Sequence, residues 1–156
     1  MRNDKVLRIY TDGGCAGNQS NENLGGWGAI LEFGQGGGAA TKELYGAEAN
    51  TTNNRMEIMA CIQALEALKE PCTVDLYTDS AYVCNTFAQH WIDNWVRNGW
   101  KTASKKPVEN QDLWKRMLEL RNIHTVTFHK VKGHADNEMN NRCDKLATTA
   151  IREHRG

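Results

Sequence analysis

Residues 54–80 read NRMEIMACIQALEALKEPCTVDLYTDS: a helical pattern over 54–69, a stop at Pro71, and a strand over 73–77 that ends at Asp79-Ser80. Near the start of the chain, residues 6–10 form another β-rich run. It leads into Asp12-Gly13-Gly14, where a turn is predicted. The two strand ends, Ile9-Tyr10-Thr11-Asp12-Gly13 and Leu76-Tyr77-Thr78-Asp79-Ser80, are near copies of one another. If the helix between them is a crossover, the strands lie parallel and adjacent. Asp12 and Asp79 then stand side by side at the C-terminal ends, where open α/β sheets place their sites. Taken alone, each aspartate reads more readily as a turn or helix-cap residue.

Glu57 changes that balance. At about 100° per residue, Ala60, Cys61, Ala64, Leu65 and Leu68 all fall within about 80° of Glu57, and Gln63, Glu66 and Lys69 lie opposite. A carboxylate therefore occupies the middle of the face that packs on the sheet. A buried unpaired charge is costly, so such a group is paired, neutralised or bound to metal. Asp144 adds a fourth carboxylate, at the edge of an apolar arc made by Cys143, Leu146, Ala147, Ala150 and Ile151. A solvated helix residue is an equally good reading of it. Four converging carboxylates with no lysine partner repel, and hard divalent cations such as Mg²⁺ or Mn²⁺ relieve that repulsion.

Outward from this core, residues 27–33 and 41–45 read as strands joined by a glycine-rich hairpin connection at 34–38. No GK[ST] follows it, so it is not a phosphate-binding P-loop. Helical patterns cover 81–88, 91–96 and 110–121, a strand covers 125–131, and a last helix covers 140–152. The order β-β-β-α-β-α-α-α-β-α predicts a single α/β domain over 1–156, with helices on the faces of a mixed sheet.

Hydrophobic residues make up 40% of the 156-residue chain, enough for a substantial core. No stretch approaches the roughly 18 apolar residues of a membrane span, and Met1-Arg2-Asn3-Asp4-Lys5 carries no apolar leader. A soluble cytoplasmic protein with no membrane partner is expected. The five cysteines are an odd number without a CxxC pair, which argues against a zinc site and a disulfide framework. Nineteen basic and nineteen acidic residues cancel, an unpromising total for a phosphate binder. With four carboxylates set aside as metal ligands, however, fifteen acids face nineteen bases on the remaining surface.

Several ordered stretches carry a resemblance: Tyr10-Thr11-Asp12-Gly13, Gly25-Gly26-Trp27-Gly28-Ala29-Ile30, Thr51-Thr52-Asn53-Asn54-Arg55-Met56-Glu57 and Tyr77-Thr78-Asp79-Ser80 come first. Gly99-Trp100-Lys101-Thr102, Val131-Lys132-Gly133-His134-Ala135 and Asn141-Arg142-Cys143-Asp144 follow. Along nearly its whole length the chain resembles the bacterial type 1 ribonucleases H. The resemblance implies a ribonuclease H-like fold with a five-stranded mixed sheet. It implies a monomeric, sequence-nonspecific endonuclease that hydrolyses the RNA strand of an RNA–DNA hybrid and leaves 5′-phosphate and 3′-hydroxyl ends. Catalysis would use two Mg²⁺ ions (Mn²⁺ being an alternative) held by Asp12, Glu57, Asp79 and Asp144. Asp12 would be shared between the ions, and His134, on a loop, would assist proton transfer or product release.

The same resemblance assigns the substrate contacts. Cys15, Asn18, Asn53 and Asn54 would sense the 2′-hydroxyl, and Thr52 and Arg55 would hold phosphates of the DNA strand. A protruding handle would supply Trp91, Arg97, Trp100, Lys101, Lys105 and Lys106, aromatics interleaved with bases. Its tryptophans read equally as helix-packing core. Asp93, Val96 and Asn98 make the handle less basic than in many relatives, so weaker and more salt-sensitive binding is expected. Ala81 and Asn141 depart from the common glutamine and glutamate. Two other readings stand beside this one: a recombinase-type nuclease on the same fold, and a catalytically silent hybrid-binding module.

Overall fold

The computed structural model describes residues 7–15, 24–34, 40–131 and 138–155. Its strands are β1 (Leu7–Cys15), β2 (Leu24–Phe33), β3 (Ala40–Ala49), β4 (Thr73–Thr78) and β5 (Thr125–Lys130). They form one sheet in the order β3-β2-β1-β4-β5, with β1 at the centre. β1 runs antiparallel to β2 and parallel to β4; β5 is parallel to β4, and β3 is antiparallel to β2. The mixed five-stranded sheet of a ribonuclease H-like fold is thus present.

Helices α1 (Asn53–Glu66), α2 (Ala81–Ala88), α3 (Trp91–Arg97) and α4 (Gln111–Ile123) belong to one side of the sheet, and α5 (Glu138–Arg155) packs on the other. Strand alternation sorts β1 accordingly. Leu7 and Ile9 enter the large core with Ile58, Cys61, Leu65 and Trp114, whereas Tyr10 joins Ile30 and Cys143 beneath α5. The wheel around Glu57 holds: Ala60, Cys61, Ala64 and Leu65 are all buried against the sheet.

Three local expectations change. Asp12-Gly13-Gly14 is not a turn, because β1 continues in register with β2 as far as Cys15↔Gly25. The glycines there serve helix approach instead of chain reversal. On β2, a Cβ at Gly26 or Gly28 would sit 2.3 Å from Ala147 O or 2.4 Å from Cys143 O, so these positions let α5 lie directly on the strand. β2 and β3 both extend beyond 27–33 and 41–45, since glycine and polar residues at their ends pair all the same. α1 stops at Glu66 with Ala67 as its C-cap, three residues short of Lys69. The glycine-rich connection at 35–38 lies outside the described residues. Among the described residues, no helix is long and apolar enough to cross a membrane. All five cysteines are free, with Cys61, Cys84 and Cys143 buried.

Candidate active site

The parallel ladder between β1 and β4 ends at Tyr10↔Tyr77. β1 then follows β2 to Cys15, and β4 follows β5 to Thr78↔Lys130, so the central strands lose each other's pairing just before their aspartates. Asp12 lies on the continuing part of β1, and Asp79 is the first residue beyond β4. The chain around Asp79 is held firmly. Thr78 Oγ1 accepts the Ser80 N–H at 3.1 Å, and Ser80 Oγ caps α2 by accepting the Val83 N–H at 3.1 Å. Tyr10 and Tyr77 stack at 5.2 Å under the α5 side of the two strands, and His129 extends the stack at 4.8 Å.

Glu57 arrives from the second turn of α1. Thr52 caps that helix, its Oγ1 accepting the Arg55 N–H at 3.1 Å. The approach is close because position 13 lacks a side chain: a Cβ there would stand 2.5 Å from Met56 C and 2.8 Å from Glu57 N. Carboxylate oxygens of Asp12, Glu57 and Asp79 consequently all lie within 4.8 Å of one another. Asp144, exposed on α5, is not in that triad, although it is near enough for its charge to act on Asp12.

Crowding of this kind holds protons on the acids. Burial, then the charges of Asp79 and Asp144, push Asp12 up to about 8. Burial again leads for Glu57, followed by Asp12 and Asp79, and it rises to about 9. The polar backbone at Gly13 favours the ionised form of both carboxylates and offsets only part of this. One oxygen of Glu57, Oε1, is buried with no hydrogen-bond partner among the described residues. A buried oxygen left over in a cluster of hard carboxylate donors fits a divalent cation such as Mg²⁺ or Mn²⁺, which would displace the protons.

The remaining predicted contacts fall into two groups. Cys15 and Asn53 come together at the start of α1, where Asn53 Oδ1 accepts the Cys15 N–H at 2.6 Å; Thr52 and Asn54 are exposed beside them. Arg55 is engaged within the protein, donating to Asp112 at 3.1 and 2.7 Å and to Asn110 Oδ1 at 3.3 Å, with Glu48 3.5 Å away. In the handle, Trp95 lies 6.3 Å from Trp100 and 6.0 Å from the fully buried Trp114, so these rings are packing as the core reading expected. Trp100 adopts a left-handed φ of 65°, and hydrogen bonds to Trp95 O and from Val108 N–H hold it there. Trp91 is half-buried, while Arg97, Lys101, Lys105 and Lys106 are exposed. Asn18 and His134 lie outside the described residues.

A protein-family model described as RNase H matches residues 4–152. The chain belongs to the ribonuclease H family. Among curated ribonucleases H, that of Chlorobaculum parvum is 59% identical over 150 residues, spanning 96% of this chain and 98% of the relative. The ribonuclease H of Acetivibrio thermocellus is 55% identical over 149 residues, with 96% and 97% covered. Of solved structures, LC9-RNase H1, a type 1 RNase H with the type 2 active-site motif, superposes with a TM-score of 0.83 at 32% identity, covering 95% of this chain and 72% of that one. The RNase H domain of PFV gives 0.79 at 28% identity, with 94% of each chain covered. This ribonuclease H is therefore an enzyme of the bacterial type 1 group, and its acidic triad lies where the divergent strand ends meet α1.

The sequence pattern overlooked Asn110, Asp112 and Glu48, which lock Arg55, and Asn140, which bonds the sheet directly. For Asn140 a signal existed. It precedes Asp144 by one helical turn and so shares its face.

Proposed function

We propose that this ribonuclease H cleaves the RNA strand of RNA–DNA hybrids without sequence preference, leaving 5′-phosphate and 3′-hydroxyl ends, and that Asp12, Glu57, Asp79 and Asp144 hold two divalent cations for that reaction. The observation that carries the reading is the convergence of the Asp12, Glu57 and Asp79 oxygens within 4.8 Å. When bound, Mg²⁺ or Mn²⁺ there supplies Lewis-acid activation of water and of the scissile phosphate. Asp12, on the central strand, would be the ligand shared by both ions. Cys15, Asn53 and Asn54 are grouped beside the triad at the start of α1, a short approach for an RNA 2′-hydroxyl. LC11-RNase H1, a structural neighbour at 20% identity, has been solved in complex with an RNA/DNA hybrid. His134 is proposed to assist proton transfer or product release.

The test is digestion of a strand-labelled hybrid beside duplex RNA and duplex DNA, in Mg²⁺ and in EDTA. Metal-dependent cutting of the hybrid's RNA strand alone is expected. Binding without cutting would make the protein a silent hybrid binder, and cutting of duplex DNA would move it to the recombinase reading.

The handle has its own signature. Lys101, Lys105 and Lys106 are exposed around the turn closed by Thr102 and Lys106. Replacing all three with alanine is expected to raise KM about 10-fold at roughly 0.1 M salt with kcat within about 2-fold. The dependence of log KM on log salt should become shallower by about 0.9 for each phosphate no longer neutralised. An unchanged KM and salt slope would remove these lysines from the substrate interface.

A further inference from the structure

The gap between the central strands is not left to side-chain packing. Where the β1–β4 ladder ends at Tyr10↔Tyr77, the Asn140 side chain enters from the first turn of α5. Its single Nδ2 donates to Thr11 O at 3.1 Å and to Tyr77 O at 3.2 Å. One amide group thus uses both of its N–H donors, one on each strand. The accepting carbonyls lie one residue before Asp12 and two residues before Asp79. Asn140 is buried, with 8% exposure, so water does not readily substitute for the donors. A second tie lies one turn further along: Cys143 Sγ donates to Tyr10 O at 3.1 Å. Asp144 follows directly on the same helix.

We propose that Asn140 is a positioning residue for the metal-binding carboxylates. Its amide sets the separation of the strand ends that carry Asp12 and Asp79, and the same side chain fixes the α5 turn that presents Asp144. The inference rests on the divalent-cation reading of the site given above. A cap that served stability alone would need to bond only one chain; bridging two strands at their point of divergence controls a distance. The carboxylates repel one another when ionised, and without the bridge the gap can widen under that repulsion.

The test compares wild type, Asn140→Ala and Leu120→Ala, the last a buried substitution in α4 that lowers stability without touching the site. Mn²⁺ binding is measured by calorimetry without substrate, beside hybrid cleavage in Mg²⁺ and hybrid affinity in EDTA. For Asn140→Ala the Mn²⁺ Kd should rise about 10-fold and kcat fall about 10-fold or more, the range seen when groups supporting metal ligands are removed. Hybrid affinity in EDTA should stay within about 2-fold. Leu120→Ala should lose Tm and keep the wild-type Mn²⁺ Kd. If Asn140→Ala does not fold, Asn140→Ser, which keeps a small polar group there, must show the weakened Mn²⁺ binding in its place. A folded Asn140 variant with wild-type Mn²⁺ affinity overturns the proposal. Wild type that neither binds Mn²⁺ nor cuts hybrid overturns instead the metal reading on which it stands.

Discussion

Asp12→Asn should abolish hybrid cleavage, by roughly 10³-fold or more, while making the metal-free protein more stable at alkaline pH. The loss corresponds to roughly 4 kcal/mol of transition-state stabilisation. The gain follows from the raised acids. In the folded protein Asp12 holds its proton to about 8 and Glu57 to about 9. In the unfolded chain both release it at about 4. Between those limits the folded state binds more protons than the unfolded state, so stability contributed by this pair falls as pH rises and levels off above the folded values. From pH 5 to 9 the metal-free wild type should lose several kcal/mol, a fall of about 10 °C or more in Tm for a chain of this size. Asn at position 12 removes one charge and lowers the repulsion on Glu57, so the decline with pH should flatten. Mg²⁺ reverses the wild-type trend, because the cation binds the deprotonated acids and stabilises only the folded state. Calorimetric melts of both proteins across this pH range, with EDTA and with Mg²⁺, check all of it. A wild-type Tm in EDTA that rises from pH 5 to 9, or an Asp12→Asn protein still stabilised by Mg²⁺ as wild type is, would contradict the assignment of these acids as the ligands.

The triad was legible because its members violate local patterns. Glu57 sits in the centre of an apolar helix face, and Asp12 and Asp79 end two strands of nearly the same sequence. Periodicity exposes such violations without any tertiary information. Asp144 was harder to read, since an exposed helix position carries no burial conflict, and the structure does leave it outside the tight cluster. What remained hidden depended on contacts between distant segments. Arg55 carries no sequence mark that Asp112 lies opposite it, and that pair joins residues 57 positions apart. The reading of Asp12-Gly13-Gly14 as a turn failed for a related reason. Local chemistry favours a turn there, whereas pairing with β2 and the approach of α1 decide the conformation. Asn140 stood in plain view one turn before Asp144, but its role needs the divergence of two strands, which no helical wheel contains.

Gly13→Ala is the substitution expected to damage both fold and site without removing any functional group. A methyl group there would lie 2.5 Å from Met56 C, 2.6 Å from Met56 O and 2.8 Å from Glu57 N. All three are backbone atoms of α1, so no side chain can rotate away, and the helix must shift from the sheet. Overpacking of this kind costs about 3 kcal/mol, which for this chain is about 10 °C in Tm. The shift also acts on the chemistry. Glu57 moves with the helix, away from Asp12 and Asp79, whose carboxylate oxygens it otherwise meets within 4.8 Å. Mg²⁺ affinity should therefore fall further than the loss of stability accounts for, and kcat should fall with it. Gly14→Ala provides the comparison, since a Cβ there meets only Asn53 Oδ1 at 3.6 Å, an ordinary contact. Its Tm and Mg²⁺ affinity should stay close to wild type. Melting curves and metal titrations of the two variants separate the outcomes: equal behaviour of Gly13→Ala and Gly14→Ala would mean that the close approach of α1 to β1 does not set the position of Glu57.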